Sequence, residues 1–405
     1  MLSRLLRLGF LPITQKKQAQ TDARTSADPL TLETRFYRVT CDPRDGFISS
    51  IVDRETGREL VDAGAPFGFN EYVYDRYTSA AHFNHLSGRV QDVDLQLFGS
   101  RSTAGHASLI ARSSDAVAER LTLRHVAEGS AWLETTLTLP HDVKRVDISN
   151  RLRKVATPEK ESVFFAFPFA VDDPDPEYEI TGGVTSLGAP HVPGSVQHML
   201  AIRHWLALRD GQGAAAWATL EAPLIELGTI ALPYAPFPST VPSDRIRAST
   251  IYSWALNNIW DTNFPPEQGG EMTFRYAVAS DADPVNARDL GIRTGAALSA
   301  PFVGLCLGRG GADDLPARGS FVEVSDPLVE VVALAPSRRG QGLTAFLHSL
   351  AAESVEARIS FPTLPVRRVL AGTFLEREMR EIVLQNGGAT IGLTPGAFVT
   401  VSVDL

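Results

Sequence analysis

Apolar and polar residues alternate with a period of two over long stretches of this chain. In residues 131–139, which read AWLETTLTL, the leucines fall on one face of an extended chain, while Trp132, Glu134 and two threonines fall on the other. Residues 145–153 alternate in the same way after a turn at residues 140–144. The pattern predicts two half-buried antiparallel strands joined as a hairpin.

Proline and glycine punctuate such segments throughout the chain. The 26 prolines and 32 glycines fall largely between them, which is typical of large antiparallel sandwiches rather than of alternating strand and helix units. We therefore predict an all-β protein, with a large antiparallel supersandwich at residues 33–283 and a small β-sandwich at residues 318–405. Residues 284–317 are expected to be a linker, and residues 1–32 a linker or a truncated start.

Helical signals are sparse. The best candidate runs from Asp283 to Gly291, because Pro284 suits a first helical turn and Gly291 a C-terminal stop. The small sandwich is expected to contain short strands at residues 329–334, 344–348, 356–361, 381–384 and 398–403.

The composition is that of an ordinary globular protein. Of the 405 residues, 44% are hydrophobic and 21% charged, which is enough apolar material for large cores and excludes a disordered chain. The net charge is −9 and no basic stripe occurs, so nucleic acid and acidic membrane surfaces are not expected as partners. Cys41 and Cys306 are the only cysteines, which argues against a disulfide scaffold.

The N-terminal segment does not have the features of a targeting peptide. Its apolar run is interrupted by Arg4 and Arg7 and broken at Pro12, and no small-residue cleavage site follows closely. No stretch approaches the roughly 20 apolar residues that cross a bilayer. We therefore expect a cytoplasmic location.

Histidines are the first group of candidate catalytic residues. The nine are His82, His85, His106, His125, His141, His191, His198, His204 and His348. None comes with a motif that specifies its partner. His82 and His85 have a metal-like spacing, but spacing places no third ligand, so solvent-facing loop histidines are the alternative. His125 falls on the apolar face of a strand and is expected in the core.

Carboxylates are the second group, because a pair of them facing each other can carry general acid and base catalysis. Residues 172–177, DDPDPE, hold four acids, but the two prolines impose an extended backbone on which the acids point into water. Asp261 is surrounded by aromatic and amide residues, and a hydrogen bond to a sugar hydroxyl suits it better than catalysis.

The chain is richest in binding chemistry at residues 252–276, YSWALNNIWDTNFPPEQGGEMTFRY. Aromatic rings can lie against the apolar faces of pyranose rings, and Asn and Asp side chains match ring hydroxyls. Composition alone supports equally a turn-rich connector whose tryptophans are core residues.

This loop resembles one in the C-terminal β-sandwich half of bacterial glycoside hydrolase family 38, the α-mannosidases, which carries a similar N-N-x-W-x-T-N, Gln-Gly and F-R-Y series. Residues 36–60 are similar to the family's opening hairpin with its S-I-x-D-x-x-T-G-x-E-L series. Residues 160–171 resemble its K-E-x-x-x-x-A-F-P-F strand, and residues 193–195 its Pro-Gly-Ser turn. The likeness is weaker from residue 318 onward.

The resemblance implies a galactose-mutarotase-like supersandwich and a part in mannoside hydrolysis. In this family a two-step retaining reaction is run by an N-terminal α/β domain, in which zinc held by His and Asp residues lies beside a nucleophilic Asp. Nothing in these 405 residues corresponds to that domain. We therefore expect a C-terminal part that is inactive alone, with no cofactor of its own and zinc in the missing catalytic domain.

The resemblance and the loop chemistry together suggest which residues lie nearest a glycan. They are Asn257, Asn258, Trp260, Asp261 and Asn263; no catalytic or metal-binding residue is assigned. The expected partners are a mannoside or glycan and a separately encoded catalytic domain, with neither nucleic acid nor membrane.

Two alternatives remain open from the sequence. A free-standing carbohydrate-binding or mutarotase-like sandwich predicts a groove in which a histidine faces a Glu or Asp. A structural module that docks a separate catalytic subunit predicts an exposed apolar face of unusual size, and a flat hydrophobic patch near residues 164–169 would support it.

Overall fold

The computed structural model of the chain describes residues 7–10, 28–78, 98–189, 192, 199–230, 248–259, 265–300, 319–338, 340 and 342–405. In chain order the first strands are β1 (Arg7–Phe10), β2 (Thr31–Glu33), β3 (Tyr37–Cys41), β4 (Ile48–Asp53), β5 (Glu71–Tyr77), β6 (Phe98–Thr103), β7 (Gly105–Ser114), β8 (Ala118–Val126), β9 (Ser130–Pro140) and β10 (Val146–Lys154). They are followed by β11 (Glu161–Pro168), β12 (Glu177–Ile180), β13 (Gly183–Ser186), β14 (Leu200–Ala201), β15 (Trp205–Asp210), β16 (Gly213–Thr219), β17 (Leu224–Leu227), β18 (Thr250–Asn257) and β19 (Gly270–Asp281).

A 3-10 turn (Pro284–Asn286) and helix α1 (Ala287–Ser299) follow. The remaining strands are β20 (Gly319–Val324), β21 (Val329–Pro336), β22 (Gly342–Ser349), β23 (Val355–Ser360), β24 (Arg368–Thr373), β25 (Arg380–Ile382), β26 (Gly388–Leu393) and β27 (Phe398–Asp404). The predicted all-β class is confirmed.

The chain divides into two compact units. The larger unit comprises Gln18–Thr181 and Thr185–Pro301, and the smaller unit comprises Met1–Lys17, Gly182–Val184 and Phe302–Leu405. Residues 284–300, expected as linker, thus lie in the larger unit as a turn and a helix.

The larger unit is a sandwich of two large antiparallel sheets. The nine-stranded sheet has the order β13-β12-β15-β16-β19-β10-β9-β8-β7, and the six-stranded sheet has the order β14-β17-β18-β11-β5-β6. Their inner faces share one core, in which Phe167 of the six-stranded sheet lies 5.3 Å from Trp217 of the nine-stranded sheet between ring centroids. A three-stranded sheet, β2-β3-β4, completes the unit.

The hairpin predicted from alternation is confirmed by the register. Leu137 of β9 pairs with Ile148 of β10, and Leu133 pairs with Leu152, and all four side chains are buried. Burying every second side chain is what a sheet solvated on one face requires.

The 3-10 turn begins where the sequence predicts a helix to start, whereas α1 itself begins at Ala287 and continues beyond the predicted end at Gly291. The Asp283 carboxylate accepts a hydrogen bond from Val285 N at 3.0 Å, as an N-cap does. Gly291 does not end the helix, because α1 packs against β15 and a Cβ at Gly291 would lie 2.2 Å from the Trp205 ring. The glycine serves close packing there rather than termination.

The smaller unit contains a four-stranded sheet, β1-β20-β23-β26, and a five-stranded sheet, β21-β22-β27-β24-β25, which share a second core. Strand β1, in the segment expected as linker or truncated start, pairs antiparallel with β20. A four-residue strand is too short for its pattern to predict it. Within the described ranges, no helix has the length and apolar character needed to cross a membrane.

Candidate functional site

Two of the five predicted glycan-facing residues lie in the described structure. Asn257 is the last residue of β18 and Asn258 follows it, while Trp260, Asp261 and Asn263 lie outside the described residues. Trp254, earlier in the same segment, is a core residue: it is 2% exposed and its ring stacks on Phe164 at 5.5 Å.

Both polar atoms of the Asn258 side chain form hydrogen bonds within the protein. Its oxygen accepts the Glu161 N–H at 2.7 Å. Its nitrogen donates to the carbonyl oxygens of Thr157, Glu159 and Pro266 at 3.1, 2.8 and 2.9 Å. A carboxamide with all its donors and its acceptor engaged has little left for a ligand. Asn258 thus holds the chain in place, contrary to the glycan contact expected of it.

Two further contacts join the β10–β11 and β18–β19 connections at this end of the sandwich. Lys160 Nζ donates to the Ile259 carbonyl at 3.0 Å. Gly269 lies so close to Ala156 that a Cβ on the glycine would be 2.9 Å from the alanine Cβ. Because the Asn258 amide also reaches Pro266, both ends of the segment that contains Trp260 are fixed to the same neighbouring connection.

A buried ion pair lies beneath these contacts. Lys154 Nζ is 2.5 Å from Glu161 Oε1, and the two side chains are 2% and 6% exposed. The Tyr74 hydroxyl donates to the other Glu161 oxygen, and Lys154 also donates to the Val155 carbonyl at 2.7 Å. Burial, reinforced by the contact with Glu161, raises the pKa of Tyr74, so the phenol stays protonated and remains a donor.

A small cavity lies between the ion pair and the amide residues. Its volume is about 10 Å³, roughly that of one water molecule. It is lined by Lys154, Glu161, Val163, Leu256, Asn257, Asn258 and Gln268. Since Lys154 and Glu161 neutralise each other, the arrangement is suited to holding the loop rather than to proton transfer.

Sequence reasoning missed Lys154 and Glu161, although one signal for Lys154 was present. The inward positions of β10 are every second residue, and the series of Ile148 and Leu152 continues to Asn150 and Lys154, so two polar side chains fall in the core. Asn150 is paired there with Asn70 through two hydrogen bonds of 3.0 and 2.7 Å. A polar residue at an inward position is therefore the signal that could have identified this region.

The motif residues of the opening hairpin have structural tasks. Glu59 Oε1 accepts the N–H groups of Ile51, Leu60 and Val61 at 2.8–3.0 Å. Ser280 donates to Asp53 at 2.6 Å, and Lys144 lies 2.8 Å from the same carboxylate. Burial opposes ionisation of Asp53, but these two partners outweigh it and hold its pKa below the ordinary value.

The acids of residues 172–177 do not form a catalytic pair. Arg209 lies 2.5 Å from Asp175, and Arg288 lies 2.6 Å from Glu177. Each of these carboxylates thus serves an ion pair within the sandwich, rather than facing the other across a cleft.

The described histidines also have structural surroundings. His125 is buried, stacks on Phe47 at 4.8 Å and contacts the Asp45 carbonyl through Nδ1 at 2.9 Å. Burial lowers the pKa of His125. His82, His85, His191 and His198 lie outside the described residues. Among the residues that are described, no three His, Cys, Asp or Glu side chains are grouped as metal ligands.

Three of the described histidines lie near a carboxylate, which the free-standing alternative requires. His348 is 3.8 Å from Glu330, and His141 is 3.9 Å from Glu119. His204 Nδ1 lies 3.3 Å from Glu179 Oε2. The other Glu179 oxygen accepts from Arg203 at 3.0 Å, so the carboxylate is already held as an ion pair. Residues 164–169 do not give the docking alternative the support of an exposed patch, because Phe164, Phe165, Phe167 and Phe169 are all buried.

The larger unit is therefore an antiparallel β-sandwich with a loop firmly held at one end. Residues 32–191 match the model of the glycosyl hydrolases family 38 C-terminal domain. Residues 32–191 are thus similar to the C-terminal domain of that family, and the resemblance seen in the hairpin and K-E motifs is confirmed. No curated protein sequence matches the chain.

Solved structures of the family share the fold. An α-mannosidase from Enterococcus faecalis V583 superposes with a TM-score of 0.65 at 12% identity, covering 93% of this chain and 42% of that one. A glycosyl hydrolase family 38 protein from Enterococcus faecalis gives a TM-score of 0.65 at 12% identity, with coverages of 93% and 44%. A galactose mutarotase-like protein from Lactobacillus casei ATCC 334 gives a TM-score of 0.36 at 11% identity, covering 62% of this chain and 99% of that one. The chain spans less than half the length of the two family 38 structures.

Proposed function

We propose that this chain is the carbohydrate-binding and scaffold part of an α-mannosidase-like glycoside hydrolase. It contributes to mannoside hydrolysis together with a catalytic domain, which supplies the zinc and the attacking carboxylate. The match of residues 32–191 to the family 38 C-terminal domain supports the class of enzyme. In this proposal the zinc belongs to the catalytic domain, as the resemblance to the family implies.

The observation that carries the proposal is the fixed base of the loop. Lys160 and Asn258 tie the chain before residues 260–264 to the neighbouring connection, and the Asn258 amide also donates to the Pro266 carbonyl beyond them. A loop whose ends are held in advance loses less conformational entropy when a ligand binds. Such a base suits recognition by a few aromatic and amide side chains.

We assign the roles within the loop as follows. Asn257, Trp260, Asp261 and Asn263 contact the glycan: the indole stacks on an apolar sugar face, and the polar side chains bond hydroxyl groups. Asn258 is a positioning residue, because its amide is already saturated.

The experiment compares glycan retention by the wild type with that of Trp260→Ala on immobilised mannan. Phe374→Ala is the matched control, since Phe374 is an aromatic residue of the smaller unit that is 42% exposed. We expect Trp260→Ala to lose retention about tenfold, from one stacking contact with the surrounding desolvated hydrogen bonds, and Phe374→Ala to retain it. Equal retention by the wild type and Trp260→Ala would overturn the assignment of the loop.

A second experiment tests whether this chain needs a separate catalytic domain for mannoside hydrolysis. The purified chain is incubated with an aryl α-mannoside, alone and with a family 38 catalytic domain produced separately. Turnover is expected only in the mixture, and chelators should abolish it. Chelator-sensitive turnover by this chain alone would contradict the scaffold role.

A further inference from the structure

A second concave surface lies on the outer face of the nine-stranded sheet, away from the loop. It is a groove of about 180 Å³, bounded on one side by Ala297 and Leu298 in the last turn of α1. Its floor is formed by β9, β10 and β19. Along β19 it lies five residues from Gly270, or ~17 Å from the base of the loop.

The register places a compact set of polar side chains on the groove floor. Thr136 pairs with Ser149, which pairs with Arg275 on the next strand. In the adjoining row Thr138 pairs with Asp147. These side chains point outward, because their neighbours along each strand are buried in the core. Hydroxyl groups therefore lie side by side with a guanidinium and a carboxylate.

The charges in the groove are already compensated. Arg145 binds Asp147 through two hydrogen bonds of 2.6 and 3.0 Å. Arg275 donates to Glu221 from Nε at 2.7 Å and from its backbone N–H at 2.8 Å. A bidentate pair holds both groups in a fixed plane and leaves no free cation for an anionic ligand. The groove thus favours a neutral ligand with several hydroxyl groups.

An aromatic side chain lies beyond the groove on the same face of β9. Trp132 lies on the same face as Thr136, four residues or ~13 Å away. The Arg151 guanidinium lies over its ring at 5.5 Å from the centroid. An indole and planar ion pairs on one sheet face offer stacking and hydrogen bonding to consecutive sugar rings.

We propose that this groove is a second saccharide-binding site, which takes a neutral hexose unit of a longer glycan. Sugar hydroxyls donate to Asp147 and accept from Arg275 and the threonine hydroxyls, while Ala297 and Leu298 contact an apolar sugar edge. The site shares no residue with the loop and does not depend on its function.

The test follows the Ala297 and Leu298 methyl signals by NMR during titration of the whole chain with mannobiose, and separately with sodium phosphate. Mannobiose is expected to shift both signals in the wild type and in Trp260→Ala, and phosphate is expected to shift neither. No shift with mannobiose at millimolar concentration, or a shift with phosphate instead, would overturn the proposal.

Two variants sharpen the test. Thr136→Val with Ser149→Ala removes two hydroxyl groups at nearly constant volume and should weaken mannobiose binding about tenfold, and Ala297→Trp should fill the groove and abolish it. Thr273→Val is the matched control, because it removes a hydroxyl from the same sheet outside the groove. Weakening by Thr273→Val equal to that of the double variant would contradict the site.

Discussion

Charged residues are used in opposite ways in two regions of the larger unit. At the C-terminal end of β10 in the nine-stranded sheet, Lys154 pairs with Glu161 of β11, and the two almost completely buried side chains hold the base of the loop. On the outer face of the same sheet, Arg124 and Glu134 form a cross-strand pair whose arginine is 51% exposed. Removing a buried charge from its partner leaves an uncompensated ion in a low-dielectric interior, whereas water replaces a lost surface partner. Burial, rather than the number of ion pairs, therefore determines which charges the fold depends on.

The largest loss of stability is expected when one member of the buried ion pair is removed. Glu161→Ala leaves the Lys154 ammonium buried without its carboxylate, so we expect a loss of about 3–5 kcal/mol in the free energy of unfolding. Urea denaturation measures it. The double variant Lys154→Met with Glu161→Leu removes both charges and should recover most of the loss; a loss below about 1 kcal/mol in the single variant would contradict the role of the pair.

Removal of the Asn258 side chain is expected to cause the next largest loss of stability. Asn258→Ala leaves the Glu161 N–H and several carbonyls without their partner, so the free energy of unfolding should fall by about 1–3 kcal/mol. Glycan retention should fall with it, because the loop loses its fixed base.

Asn257→Ala distinguishes a residue that contacts the glycan from one that holds the loop in position, which is the role of Asn258. Asn257 lines the small cavity without the hydrogen bonds that Asn258 makes, so this variant should weaken retention and leave the urea midpoint close to wild type. If the two variants changed the urea midpoint equally, the distinction between the two asparagines would be lost.

His125 shows how the fold treats a buried imidazole whose hydrogen-bond partner is a backbone carbonyl, that of Asp45. Burial lowers its pKa below 6.5, so at mildly acidic pH the unfolded chain binds a proton that the folded chain does not. The free energy of unfolding should therefore fall as the pH drops through about 6.5, and this contribution should level off below the folded pKa. Urea midpoints from about pH 7.5 to 5 measure it. His125→Phe keeps the stack on Phe47 and should lack this component; the same pH dependence in the variant would contradict the assignment.

The smallest effect is expected on the surface. Arg124→Ala removes the partner of Glu134, to which Arg124 Nε donates at 3.0 Å, and should cost about 0.2–1 kcal/mol. The loss should shrink further in about 1 M salt, where the screening length falls to about 3 Å. A loss as large as that of Glu161→Ala would remove the distinction between the two regions.

Much of the fold could be predicted from local pattern. Alternation placed Leu133, Leu137 and Ile148 on the buried face, because a half-buried strand hides every second side chain whatever its neighbours are. The extent of α1 could not be predicted in this way. Gly291 is a helix stop by local preference, yet it is needed where the helix meets Trp205 of a distant strand.

Less of the candidate site could be predicted. The aromatic and amide composition of residues 252–276 identified the region, and Trp254 and Asn258 then proved to be structural. Asn258 is bonded to a residue 97 positions away in the chain, and no local pattern contains that contact. The roles of Trp260, Asp261 and Asn263 stay predictions.

The class of fold, the period-two strands and the family 38 likeness could be predicted from the sequence, because each depends on the order of residue types along a short stretch. The support of one loop by Lys154, Glu161 and Asn258 is visible only in the folded structure. The same holds for the groove that the end of α1 forms with β9, β10 and β19. Those arrangements join strands far apart in the chain. Their free energy comes from burial and hydrogen bonds that exist only after the sheets have packed.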